Sequence, residues 1–175
     1  MRRAGRLQLR LHCQGVETMG FRIVGLPVAS FAPLFGLPDR ELAARGIVRR
    51  IADRKPGFPC RVSLRDAEPG ESLLLLNYEH LPVAGPYRSR NAIYVREHAD
   101  EYTPQVDEVP EVIASRLLSV RAFDVSGMMV DADVVAGEAV APVINRQFAD
   151  PAVARLHLHN AKPGCFAARD RKSVV

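Results

Sequence analysis

The residues best suited to chemistry lie together near the C-terminus. They are Leu156-His157-Leu158-His159-Asn160, followed by Ala161-Lys162-Pro163-Gly164-Cys165. Side chains alternate faces along a strand, so the two leucines point one way and the two histidines the other. Two imidazoles side by side on a rigid strand can hold a metal ion or share a proton-transfer task. His157 and His159 are therefore candidate catalytic residues and candidate metal ligands. A zinc, iron or nickel ion needs one or two further ligands, and Glu79, His80 and Cys165 are the candidates. The competing expectation is a polar strand face whose histidines meet solvent or a neighbouring loop.

A second group of polar residues ends an apolar run at Asn77-Tyr78-Glu79-His80. Glu79 is a candidate acid/base partner for the histidines. Adjacent strand residues face opposite ways, so Glu79 and His80 share a pocket only if the strand has already ended. Otherwise Asn77 and Glu79 cap the sheet and His80 starts a loop. Arg61 stands beside Cys60, where a guanidinium can make a thiol more nucleophilic, although a lone cysteine is more often a small buried hydrophobe. Arg61, Arg88 and Arg96 fall near strand ends or in a proline-rich loop and suit a carboxylate or phosphate clamp. Tyr87-Arg88 in that loop suits ligand contact. The expected ligand-binding set is Arg61, Tyr87, Arg88 and Asn160, acting on a small anionic ligand. The face that Cys165 takes depends on the register of the last hairpin, where one residue more or less reverses it.

Composition bounds the function classes. The 175 residues suit one domain that buries a core without staples. Only three of the 24 basic residues are lysines, a bias typical of a GC-rich genome. The net charge of +4 is uneven: residues 1–18 carry +3 and the remainder +1. A nearly neutral body offers no footprint for nucleic acid and no polybasic membrane anchor. Three cysteines without paired spacing fit reduced thiols in a cytoplasm. The longest apolar runs are far short of a membrane span. Residues 1–18 read as a disordered extension or a mis-assigned start ahead of Met19, with an arginine-rich transit leader as the alternative. Phosphate-binding glycine loops, a Gly-x-Ser-x-Gly elbow and a His-Glu-x-x-His helix are all missing, so no motif fixes a reaction.

The pattern predicts an α+β domain with a mostly antiparallel or mixed sheet and two or three packed helices, over residues 19–170, with 171–175 as a tail. Strands are expected at 20–25, 47–51 (arginines outward), 60–64, 72–78 (central), 92–96, 120–123, 128–134, 153–160 and 165–169. Helices are expected at 30–37, from Pro38-Asp39 to Gly46, at 111–118, and at 138–148 with Pro142 confined to its first turn. Asp124-Val125-Ser126-Gly127 signals a hairpin.

Several short motifs, in order, resemble a known family. They are Phe21-Arg22-Ile23 with Gly25-Leu26, Pro56-Gly57-Phe58-Pro59-Cys60-Arg61, Asn77-Tyr78-Glu79-His80, Pro86-Tyr87-Arg88, Ile93-Tyr94-Val95-Arg96, Arg121-Ala122-Phe123-Asp124, and Leu156-His157-Leu158-His159-Asn160 with Gly164-Cys165. This set resembles the bacterial domain-of-unknown-function family 1203 over about residues 19–170. The resemblance implies a domain boundary and no catalytic residue. The leading functional expectation is a small anionic-metabolite binding domain with a His-x-His pocket wall. The alternatives are an enzyme using His157 and His159 for acid/base or metal-assisted chemistry, and an interaction module presenting the acidic segment 100–111. No cofactor is expected beyond a divalent metal at the histidines, and the oligomeric state is open.

Overall fold

A computed structural model describes residues 19–174. The strands are β1 (Met19–Val24), β2 (Val48–Ile51), β3 (Ser72–Leu81), β4 (Ser89–Arg96), β5 (Leu117–Phe123), β6 (Met129–Ala136), β7 (Arg155–Asn160) and β8 (Phe166–Val174). The helices are α1 (Asp39–Ala44), α2 (Glu111–Ala114) and α3 (Val140–Ala149), with short 3-10 turns between. The strands form two antiparallel sheets, one of five in the order β1-β8-β7-β5-β6 and one of three in the order β2-β3-β4. The architecture is mostly sheet, so the α+β expectation holds only in outline and the single expected sheet is two.

The larger sheet has two different faces. Val120, Ala122, Leu156 and Leu158 form its apolar side and join one core with Val140, Ile144 and Phe148 of α3. Those three α3 residues recur every four positions, which gives the helix a single apolar stripe. Pro142 sits in the first turn of α3, where its missing N–H costs nothing. The β5–β6 hairpin closes because Asp124 Oδ1 accepts N–H bonds from Ser126 (2.8 Å) and Met128 (2.9 Å). Gly127 there takes φ +87°, open to glycine at little cost.

The second core lies on the smaller sheet. Leu74, Leu76, Ile93 and Val95 pack with Leu26, Phe31 and Leu42 from the N-terminal segment. Phe166 belongs to this core although its backbone belongs to β8 of the larger sheet. β3 is central in its sheet, as its apolar run predicts. In β2 the outward arginines are only half right. Arg49 turns in to Glu97 (2.9 Å), while Val48 and Ile51 are exposed on this edge strand.

Three expected elements differ. The helix expected at 111–118 lasts one turn, because from Leu117 the chain pairs with β6 and alternates buried and open positions. The strand expected at 60–64 is a buried turn with isolated bridges, Pro59 to Asp66 and Cys60 to Tyr94. Its alternation of Cys60, Val62 and Leu64 reports burial without a ladder, and Leu64 takes φ +46°. The expected tail at 171–175 is largely strand, since β8 stays paired with β1 as far as Val174. The expectation for residues 1–18 lies outside the described residues.

Asp170 on β8 is a buried acid in this frame, 1% exposed. One carboxylate oxygen accepts the Arg22 N–H at 3.1 Å and the other has no partner. Burial pushes its pKa up to about 7, helped by the nearby Asp107 carboxylate. A carboxyl raised in the fold favours the folded state at low pH, and that contribution drains away as pH rises from about 4 through 7. Asp170→Asn is therefore expected to leave urea-unfolding stability nearly unchanged at pH 4 and to raise it by about 1–3 kcal/mol at pH 8.

Candidate functional site

His157 and His159 stand on the face of β7 opposite Leu156 and Leu158, as alternation requires. That face is not open to solvent. It is covered by the end of the smaller sheet, leaving His157 3% and His159 1% exposed. The covering residue is His80. β3 continues to Leu81, so His80 is a strand residue and not the start of a loop. It sits at a bulge, where the register with β4 shifts between Glu79 and Leu81. Each of the three histidines offers one ring nitrogen, and the three nitrogens lie within 4.8 Å of one another.

Phe166 sets the geometry. Its ring stacks on His80 with centroids 4.8 Å apart and planes 12° apart. It meets His157 and His159 edge-on at 5.3 and 5.8 Å. Its backbone is pinned on both sides: the N–H donates to Asn91 Oδ1 (3.1 Å) and the carbonyl accepts Arg61 Nε (2.7 Å). Phe123 closes the other side of His157 at 5.3 Å.

The hydrogen bonds fix which nitrogens are free. His159 Nδ1 lies 3.1 Å from the Gly164 carbonyl. A carbonyl only accepts, so Nδ1 carries the proton and Nε2 carries the lone pair. His159 Nε2 is buried and has no partner, and the same is true of His80 Nε2. His80 Nδ1 and His157 Nδ1 face each other at 3.3 Å. Burial lowers the pKa of His80 to about 4, and those of His157 and His159 to about 3, with repulsion between the rings and from Arg121 adding to it. The cluster is three neutral imidazoles at neutral pH.

The surrounding charge is positive. Arg121 on β5 stands directly across from His157, and Ser119 across from His159. Arg121 donates to Ser119 Oγ at 3.2 Å and pairs with no carboxylate among the described residues. Burial lowers its pKa. Arg169, across from His157 on β8, has a buried Nε without a partner.

The other expected site residues fall elsewhere. Glu79 does not join the histidines. It ion-pairs with Arg88 at the surface, because its side chain leaves β3 on the face opposite His80. Tyr87 packs against Phe123 at 6.2 Å, and Arg88 is committed to Glu79, so neither meets Arg61. Arg61 and Asn160 do come together, at a separate cleft of about 630 Å3 that none of the three histidines lines. Cys165 joins them there, since the hairpin register puts it beside Asn160 (Nδ2 to Sγ 3.4 Å) and not beside the histidines. The sequence reading thus merges two sites into one, and it misses Phe166 as the residue all three rings touch. The only signal for Phe166 was its place beside Gly164-Cys165, opposite the His-x-His strand.

The imidazole cluster has a measurable acid signature in chelator-treated, metal-free protein. Each folded pKa lies below the unfolded value near 6.5, so the unfolded chain takes up protons first as pH falls. The contribution of these rings to stability is full above pH 6.5 and drops on acidification toward pH 4. Each histidine adds a slope of about 1.4 kcal/mol per pH unit within that window. Replacing His157 by Gln is expected to reduce the urea-measured slope by about that amount. An unchanged slope would show that the ring is already protonated in the fold.

Among the described residues no helix is long and apolar enough to cross a membrane. A family model described as "Protein of unknown function (DUF1203)" matches residues 57–172. The match takes in β3 to β7, β8 as far as Lys172, and every site residue above, and it omits β1, α1 and β2. No curated protein and no solved structure matches the chain. Two-thirds of the sequence thus fits one family model, in the span that holds both the imidazole cluster and the cleft: the chain belongs to the DUF1203 family.

Proposed function

We propose that the protein binds a divalent transition-metal ion of the zinc class through His80, His157 and His159, and that the ion presents its remaining position to a small anion or water. The observation that carries this reading is the convergence of three neutral imidazoles from two different sheets. Metal ligands must be unprotonated, and burial keeps all three rings in that form. The 3.3 Å separation of the His80 and His157 nitrogens matches the edge of a tetrahedron whose ligands sit about 2.05 Å from zinc. The Gly164 carbonyl orients His159 in the way that partners beyond the ligands commonly orient metal-bound imidazoles.

Charge favours an anion in the fourth position. Three neutral ligands leave a dication uncompensated, and Arg121 and Arg169 add positive charge with no carboxylate partner among the described residues. An anion bound to the metal beside Arg121 relieves both. Three histidines with an open position are the ligand set of catalytic zinc sites, where the metal acidifies a bound water. That arrangement supports metal-assisted chemistry on a small anionic molecule. Notably, the leading expectation of a metabolite pocket walled by His157 and His159 gains no support from the cleft, which lies elsewhere.

Purified, tag-free protein is expected to carry about one equivalent of metal by elemental analysis. Chelator-treated protein should regain thermal stability on adding zinc or cobalt, by about 2.7 kcal/mol at a free concentration one hundred times Kd. His80→Ala, and the double replacement His157→Ala with His159→Ala, should each abolish the gain. Wild type that gains no stability with zinc, cobalt or nickel would leave only a proton-sharing contact between His80 and His157.

A further inference from the structure

We infer that the cleft between the end of β7 and the loop around Pro56–Arg61 binds a small organic carboxylate with an apolar body, seated on Arg61. The central observation is a buried cation without a counter-ion. Arg61 is 2% exposed and pairs with no acid among the described residues. Its neighbour Arg116 shows the contrast, because both carboxylate oxygens of Asp66 accept from it at 2.8 Å. Removing an unpaired guanidinium from water is costly, and such groups are ordinarily matched by an anion.

Arg61 is held firmly by groups that carry no full charge. Nε donates to the Phe166 carbonyl at 2.7 Å, one terminal nitrogen donates to the Pro59 carbonyl, and the other to Cys165 Sγ at 3.1 Å. A guanidinium has five N–H donors, so one remains on each terminal nitrogen. Those two N–H groups are available to a carboxylate.

A second, independent observation points to a ligand. Asn160 is 7% exposed, lines the same cleft, and its Oδ1 has no partner. The Asn160 amide N–H bond to Cys165 Sγ sets the side-chain orientation and leaves the oxygen buried and unpaired behind the cleft wall, where a small turn of the amide would let it accept from a hydroxyl or amine on the ligand. Lys162 lies at the rim and adds positive charge. The remaining wall is largely apolar, with Tyr94 and Leu117 among it, and the volume of about 630 Å3 accommodates a molecule of metabolite size. A phosphate dianion would find too few donors here, whereas a monocarboxylate with a hydrocarbon body meets each feature. The site does not rely on the imidazole cluster, since Asn160 leaves β7 on the face opposite His159.

Cys165 makes the test direct, because its sulfur faces the same two residues. The full chain is alkylated with iodoacetamide and the Cys165 peptide is followed by mass spectrometry. Hydrocinnamate or hexanoate at saturation is expected to slow labelling about fivefold or more, and the uncharged hydrocinnamamide is expected not to. Arg61→Gln should remove the protection. If that variant fails to fold, Leu117→Trp, at a 47%-exposed position on the cleft wall, should remove it by filling the space. His80→Ala should retain it. Labelling that neither carboxylate slows, protection by the amide equal to that by the acid, or protection surviving Leu117→Trp would each overturn the inference.

Discussion

The packing of Phe166 is the contact on which the rest depends. Its backbone is a strand of the five-stranded sheet and its ring is part of the core of the three-stranded sheet. Two hydrogen bonds, from its N–H to Asn91 and from Arg61 to its carbonyl, tie that one residue to β4 and to the loop before β3. The three imidazoles gather round the ring as a consequence. Two come from β7 and one from β3, and no local stretch of chain could assemble them. Burial follows from the same contact, and the neutral state of the rings follows from burial.

The join between the sheets also separates two chemistries. On one face of β7 lie neutral nitrogens beside cationic Arg121, an environment that suits a metal with an anionic fourth ligand. On the other face, at the strand end, lie a buried arginine, an amide oxygen and a thiol around an open volume. Phe166 is common to both, since its ring touches the imidazoles and its carbonyl holds Arg61. A change at this residue would disturb both sites, while changes at His80 or Leu117 act on one each.

Much of this was legible in the sequence where the signal was local. The β5–β6 turn, the start of α1 after Pro38 and the shared face of His157 and His159 follow from turn chemistry and period-two alternation. Alternation also showed that Glu79 and His80 diverge. What alternation does not carry is which strand lies across the gap, so the sequence leaves His80 between the start of a loop and a further metal ligand, and leaves Glu79 as a partner for the histidines. The segment 60–64 misled for a related reason: a buried turn and a buried strand hide the same residues. Residues 111–118 are helix-like only until Leu117 finds β6, a long-range pairing that overrides local preference. For want of a hairpin register the sequence joins the two clusters into one site, because the bulge near Phe166 decides which face Cys165 takes.

X-ray absorption at the zinc edge of the loaded wild-type protein tests the central claim most directly. The account predicts only nitrogen and oxygen neighbours at about 2.0 Å, with the outer scattering of three imidazole rings. A sulfur neighbour at about 2.3 Å, or fewer than three imidazoles, would contradict it, because the ion would then not lie where the two sheets meet.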